Sequence, residues 1–325
     1  MRTKEFFVKS IGTYLPDVQA VPSGGEFESC AVAAGVPAAD MAVRAAREAL
    51  SRAGTGVDLH IHTQMFRQGS EALSPAGYIL HQLGISGIPS HEIAQGCNGI
   101  LAALQVCAGL LTMMPAAATA LVTTSLNAGV SYLDRCRSAG TGTVLGDGAA
   151  AAVLGKDNGI IRVDALNSVV FPELEALHRG DASLLETDSG VRESVDMVSR
   201  SQAFAREQGW DPRDLLEQIT KMTAETAQRS LDEAGMTAGD LARVIHPNVS
   251  PAVMEASVLR PLNLTLDQSA WDFGRTVGHL GAADYLISLD HLLRTGQLSP
   301  GDRVLLIGGT AGFTVSSAVL TVTAT

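Results

Sequence analysis

Apolar residues return at helical spacing through Ala38–Ala53 and again through Pro212–Ala234, and a glycine, Gly54 or Gly235, stands directly behind each run. That combination predicts two amphipathic helices ending in a left-handed residue. A shorter helix is predicted over Pro75–Leu83. Stretches rich in β-branched and apolar residues predict strands near 6–12, 59–64, 90–95, 118–124 and 304–308. Two more runs, 101–111 and 282–293, have helical length and an apolar character that suits buried helices. Between about 156 and 211 the pattern is weakest, with Glu173, Glu175, His178, Arg179, Asp181, Glu186 and Asp188 crowded together. That stretch reads as a connection plus an exposed insertion.

The order of these elements repeats. Ala46-Arg47-Glu48-Ala49-Leu50-Ser51-Arg52-Ala53-Gly54, followed by Asp58-Leu59-His60-Ile61-His62, is echoed by Ala227-Gln228-Arg229-Ser230-Leu231-Asp232-Glu233-Ala234-Gly235, followed by Asp240-Leu241-Ala242-Arg243-Val244-Ile245-His246. Each half then continues with an apolar helix, a turn and a buried strand. The reading is an α/β chain of two pseudo-symmetric βαβ halves, residues 1–165 and 166–325, forming one body. Its 325 residues, 46% of them apolar, are ample for such a core.

The net charge of −11, with no basic cluster, argues against nucleic acid as a partner. Cys30, Cys97, Cys107 and Cys136 show no metal-ligand spacing, and residues 1–12 hold no long apolar stretch for export, so free thiols in a reducing cytoplasm are expected. The longest apolar region, 99–124, contains Gln105 and Pro115 and fits a buried helix plus strand better than a membrane span. His60 and His62 alternate on one predicted strand without third and fourth ligands, so no metal site is expected.

Four places carry candidate chemistry. Cys97, in Gln95-Gly96-Cys97-Asn98-Gly99, falls where a strand turns into a buried helix. First-turn N–H groups and the helix dipole favour a thiolate there, although a buried cysteine is also an ordinary core residue. His246 ends a predicted strand, with Pro247 stopping it, at the rim where open α/β sheets bind ligands. Val277-Gly278-His279-Leu280-Gly281-Ala282-Ala283-Asp284 places His279 and Asp284 at the start of a helix, where an Asp also serves as a plain cap. Gly308-Gly309-Thr310-Ala311-Gly312 follows an apolar strand and can aim N–H groups at an oxyanion, or simply make a tight turn.

Together and in this order, the four pieces resemble the thiolase superfamily and, within it, the ketoacyl synthase III enzymes. The likeness runs from Ile11-Gly12-Thr13-Tyr14-Leu15-Pro16 through Cys97, Leu145-Gly146-Asp147-Gly148 and His246 to Gly296-Gln297-Leu298-Ser299-Pro300-Gly301-Asp302 and the closing glycine-rich loop. It implies a thiolase-like fold layered α-β-α-β-α, Cys97 as the acyl-accepting nucleophile, His246 as a catalytic imidazole, the N–H groups of Cys97 and Ala311 as an oxyanion hole, and a homodimer.

Three departures narrow that expectation. Where the family carries Gly-Asn-Thr-Ser, this chain has Gly278-His279-Leu280-Gly281 with Asp284 close behind, so the Asn that donates to an enolate is gone and a carboxylate stands nearby. The family's His-Gln-Ala-Asn becomes His246-Pro247-Asn248-Val249, leaving Asn248 a weak candidate for holding a phosphopantetheine arm. The segment 16–42 lacks the Trp- and Arg-bearing stretch that grips coenzyme A. The resulting expectation is an acyltransferase with no permanently bound cofactor. It would take an acyl group from an acyl-carrier-protein or CoA thioester through acyl-Cys97 to a hydroxyl or amine of a small-molecule acceptor of natural-product type. His246, oriented by Asp284, would be the base, with His279 a further candidate. A decarboxylating ketoacyl synthase and a catalytically silent partner of the same fold are the alternatives.

Overall fold

The computed structural model describes residues 1–3, 5–21, 25–130, 132–140, 142–184 and 195–324; Glu186 and Asp188 lie outside them. The strands are β1 (Phe7–Tyr14), β2 (Val18–Ala20), β3 (Ser29–Ala31), β4 (Leu59–Thr63), β5 (Ser90–Ile93), β6 (Ala120–Leu126), β7 (Gly148–Gly155), β8 (Ile161–Val170), β9 (Arg243–Ile245), β10 (Arg303–Thr310) and β11 (Thr314–Val322). The helices are α1 (Ala38–Ala53), α2 (Pro75–Leu83), α3 (Gly99–Thr112), α4 (Ala176–Arg179), α5 (Met197–Glu207), α6 (Pro212–Ala234), α7 (Pro251–Met254), α8 (Trp271–Val277) and α9 (Asp284–Arg294).

The spatial strand order β5-β4-β6-β7-β1-β8-β11-β10-β9 makes the duplication visible. Read outward from the β1/β8 seam, β1-β7-β6-β4 and β8-β11-β10-β9 have the same pairing sense: antiparallel, antiparallel, then parallel. The seam itself is narrow, with Phe7 and Val8 facing Arg162 and Ile161. α1 packs on β1, β6 and β7, and α6 packs on β8, β10 and β11. α3 instead touches β4 and β6 of one half and β8 and β11 of the other, while α9 touches β1, β7 and β9. These two helices therefore lie between the strand sets, and the body is layered α-β-α-β-α. Their side chains share a core with residues of β1, β6, β8 and β10, which is why both read as apolar runs.

The weakly patterned stretch hid a central strand. β8 joins the two halves, so the second strand set begins at Ile161, before the division expected at residue 165. Ile161, Val163, Ala165 and Leu166 are buried, but the intervening Asp164 and Asn167 break the apolar signal. Those polar groups are satisfied by the neighbouring strand and by α6: Thr321 Oγ1 on β11 donates to Asp164, and Asn167 Nδ2 donates to Ser230 and Glu233.

His60 and His62 on β4 are both buried and belong to a hydroxyl network. His60 Nδ1 and Nε2 lie 2.9 Å from Ser90 Oγ and Thr123 Oγ1, and His62 Nδ1 lies 2.9 Å from the same Thr123 Oγ1. Among the described residues no cluster of metal-ligating side chains forms, and no helix is long and apolar enough to cross a membrane. Burial pushes His60 from 6.5 down to about 3, with the neighbouring His62 adding to it, and burial pushes His62 down to about 4. Both stay neutral in the fold while the unfolded chain takes up protons below 6.5, so stability present above that pH is lost as pH falls towards 4 and 3. Thermal midpoints measured from pH 7 to pH 4 should fall steadily in the wild type. His60→Asn should lower the midpoint at pH 7 and flatten the acid slope; an unchanged slope would remove His60 from the effect.

Candidate active site

The duplicated fold brings two helix starts together. A 3-10 turn, Gly96–Asn98, leads into α3, and a matching one, Gly281–Ala283, leads into α9. Each opens with a glycine in the left-handed region, Gly96 at φ 52° and Gly281 at φ 64°. A Cβ on Gly96 would also sit 2.0 Å from Thr310 Oγ1. The two turns pack against each other, so the residues they carry, Cys97 on one and His279 and Asp284 around the other, meet in the middle layer.

Cys97 Sγ lies 3.2 Å from His279 Nε2. His279 Nδ1 contacts Asp284 Oδ2. This is a linear Cys-His-Asp relay, and its carboxylate is fully buried. Asp284 Oδ2 also accepts from the Asn248 N–H at 2.8 Å, while Oδ1 accepts from Asn248 Nδ2 at 2.9 Å and from the Leu280 N–H at 2.8 Å. The His279 backbone is pinned as well: its N–H donates to Val144 O at 2.7 Å and its carbonyl accepts from Gly146 N at 2.9 Å. With Asp284 accepting from Nδ1–H, the ring orientation places Nε2 on the thiol.

This geometry corrects the pairing read from the sequence. Asp284 orients His279, not His246. His246 finds its Nδ1 partner in the Pro247 carbonyl at 2.9 Å, and Asp284 reaches it only as a charge. A carbonyl accepts only, so Nδ1 carries the proton and Nε2 is left with its lone pair. Asn248 is corrected too. It is buried behind His279, its amide shared between Asp284 and the Gly278 carbonyl, and it does not line the cavity described below. Both its backbone N–H and its side-chain amide are turned to the carboxylate.

The two histidines differ in charge for reasons visible in the site. Burial pulls His279 down, but the charges and hydrogen bonds of Cys97 and Asp284 push it from 6.5 up to about 10. Burial depresses His246 to about 4, and neighbouring His279 adds to this against the Pro247 carbonyl and Asp284. At neutral pH His279 therefore carries the proton shared with the thiol, and His246 is neutral.

Cys97, His246, His279, Thr310 and Ala311 line one cavity of about 360 Å³, whose remaining walls are largely apolar and include Leu177, Met197, Leu215, Ile219 and Phe313. A larger cavity of about 450 Å³ beside residues 32–39 and His62 holds none of the relay. Ala311 sits in the turn between β10 and β11, at the wall expected for an oxyanion donor. The Cys97 N–H, the other expected donor, is engaged by Thr310 Oγ1 at 3.0 Å. The threonine accepts that bond and keeps its own O–H.

Sequence reading missed the supports of the Cys97 turn. Asn98 Nδ2 donates to the carbonyls of Gly308 and Thr314, both at 2.9 Å, and Asn98 Oδ1 accepts from the buried Tyr285 hydroxyl at 3.0 Å. All three bonds are long-range, so only the Asn within Gly-Cys-Asn-Gly, a polar residue at the head of an apolar helix, could have hinted at them.

The chain matches the family models "3-Oxoacyl-[acyl-carrier-protein (ACP)] synthase III" over residues 91–168 and its C-terminal counterpart over 231–322. A solved structure of ChlB3, described as an acyltransferase, is 34% identical with a TM-score of 0.91, over 98% of each chain. Acetoacetyl CoA synthase NphT7 from Streptomyces sp. (strain CL190) is 29% identical over 86% of this chain and 83% of its own. Beta-ketoacyl-[acyl-carrier-protein] synthase III from Nitratidesulfovibrio vulgaris (strain DP4) is 28% identical over 89% and 86%. The 3-oxoacyl-[acyl-carrier-protein] synthase III structure from Aquifex aeolicus VF5, 20% identical over 97% of this chain and 99% of its own with a TM-score of 0.78, shares the fold.

The relay predicts thiol chemistry independent of any substrate. At pH 7, iodoacetamide should alkylate Cys97 much faster than Cys30 or Cys107, which are buried and whose thiols burial pushes up. His279→Gln should slow alkylation of Cys97 by roughly tenfold or more, because the thiolate is the reactive form and its partner cation is gone. Peptide mass mapping of the alkylated protein reads each cysteine; equal rates with and without His279 would break the pairing.

Proposed function

Because the chain belongs to the 3-oxoacyl-[acyl-carrier-protein] synthase III family of the thiolase superfamily, we propose that it transfers an acyl group from a carrier-protein or CoA thioester, through acyl-Cys97, to a hydroxyl or amine of a small-molecule acceptor. The observation that carries this reading is the Asp284–His279–Cys97 relay. A carboxylate behind the imidazole favours the imidazolium that forms whenever an O–H or N–H proton is taken up, which heteroatom transfer requires and decarboxylation does not.

The proton balances over two half-reactions. Cys97 Sγ, as the anion beside His279 imidazolium, attacks the thioester carbonyl, and the departing thiolate leaves with the proton from His279 Nε2. His279 is then neutral and within reach of the acyl group. It takes the proton of the acceptor as the oxygen or nitrogen attacks, and Cys97 leaves as the thiolate that pairs with the renewed imidazolium. The Ala311 N–H and the free O–H of Thr310 are the groups available for the tetrahedral oxyanion. His246 presents a bare Nε2 to the same cavity and orients the incoming O–H or N–H.

That state of His246 also counts against decarboxylative condensation, the alternative for a relative of beta-ketoacyl synthases. An enolate oxygen needs N–H donors, and His246 has its only N–H on the Pro247 carbonyl. The ChlB3 likeness, at 34% identity, supports transfer. Incubation with malonyl thioester separates the two: transfer chemistry gives a malonyl adduct on Cys97 by intact mass and no carbon dioxide, whereas release of carbon dioxide with a β-keto product would establish condensation. Asp284→Asn should slow single-turnover discharge of acyl-Cys97 to an alcohol or amine by roughly 10²-fold to 10⁴-fold, measured by loss of the adduct with time. An unchanged rate would leave Asp284 a structural residue.

A further inference from the structure

The short helix α4 contributes His178 to the wall of the cavity that holds Cys97. The segment before it is tied to the turn behind Ala311: the Phe171 N–H donates to the Phe313 carbonyl at 2.8 Å, and the His178 and Phe313 rings lie nearly parallel, 10° apart, with centroids 6.3 Å apart. His178 Nδ1 is shut off from solvent and has no hydrogen-bond partner, one of few such side-chain atoms among the described residues. Nε2 is not shut off in this way and has no protein partner among the described residues.

Three hydroxyls on the cavity wall are already engaged. Ser201, Thr223 and Ser257 each donate to the carbonyl one turn back, on Met197, Ile219 and Val253. His178 is different, because its ring is held in place by packing and offers unused hydrogen-bonding capacity. Burial pushes it from 6.5 to about 4, so it is neutral and carries one proton. An orphaned N–H in a sheltered position is rarer and costlier than an unpaired lone pair. The favoured tautomer therefore leaves Nδ1 bare and places the proton on Nε2, the nitrogen that remains accessible.

We propose that His178 is an acceptor-positioning residue whose Nε2–H donates a hydrogen bond to a second oxygen of the acceptor, a hydroxyl or ether beside the one that is acylated. The proposal rests on the acyltransferase reading and adds a substrate class to it: small molecules with an apolar face against Phe313 and neighbouring aliphatic walls, and vicinal oxygens on the other side. Relative to an alcohol with a single oxygen, such an acceptor fills the vacant bond. One neutral hydrogen bond corresponds to a preference of about three- to tenfold.

Cyclohexanol and trans-1,2-cyclohexanediol are suitable probes, identical in ring and differing in the second oxygen. Wild type, His178→Phe and His178→Asn would each be loaded with acetyl on Cys97, matched in occupancy by intact mass, and discharged by each alcohol over a concentration series. The expected result is a diol preference of about three- to tenfold in wild type after correction for its two hydroxyls, expressed in the half-saturating concentration. His178→Phe should abolish it, and His178→Asn, which retains an N–H donor, should restore part. Equal preference in wild type and His178→Phe, or no preference in wild type, would overturn the role of His178 while leaving transfer intact. If both alcohols fail to discharge the acetyl enzyme under saturating conditions in wild type, transfer to a hydroxyl acceptor fails and this role falls with it.

Discussion

The site depends on one buried anion. Asp284 has no access to solvent, and a carboxylate in that position costs several kcal/mol unless its lone pairs are met by donors. Four donors meet them, from Asn248 N, Asn248 Nδ2, Leu280 N and His279 Nδ1. Those donors come from the loop after β9 and from the turn between α8 and α9, so satisfying the charge fixes both segments and the α9 start relative to each other. The position of Asp284 in the first turn of α9 adds the favourable end of the helix dipole.

From that constraint the division between the histidines follows. His279 lies between Cys97 Sγ and the Asp284 carboxylate and holds its proton; His246 lies on a carbonyl in an apolar wall and does not. Two imidazoles lining one cavity thus occupy opposite protonation states at neutral pH. The same logic of separated environments is how a single site runs acid and base steps in the chemistry proposed here.

The duplication supplies the frame. Equivalent 3-10 turns before α3 and α9 face each other across the middle layer, one bearing the thiol and the other leading into the carboxylate. Asn98 and Tyr285, one from each turn region, hydrogen-bond across that junction and fasten it to the β10–β11 hairpin. Cys97 is therefore positioned by the central packing of the molecule and not by a surface loop, which keeps it within hydrogen-bond reach of His279.

How much of this was legible in the chain depends on the range of each interaction. The helices Ala38–Ala53, Pro75–Leu83 and Pro212–Ala234 coincide with their patterns because periodicity and a following glycine are local signals. The internal echo of Ala46–Gly54 by Ala227–Gly235 likewise exposed the paired halves, and flanking glycines marked Cys97. β8 escaped because its polar residues are satisfied by partners far along the chain, on β11 and α6, which no local pattern records. The exchange of partners at the site escaped for the same reason. His279 and Asp284 are five residues apart, His246 and Asp284 thirty-eight, and sequence distance does not say which imidazole the carboxylate faces. Only folding, by turning Asn248 inward and giving His246 the carbonyl of its own proline neighbour, directed the carboxylate to His279 and His279 to the thiol.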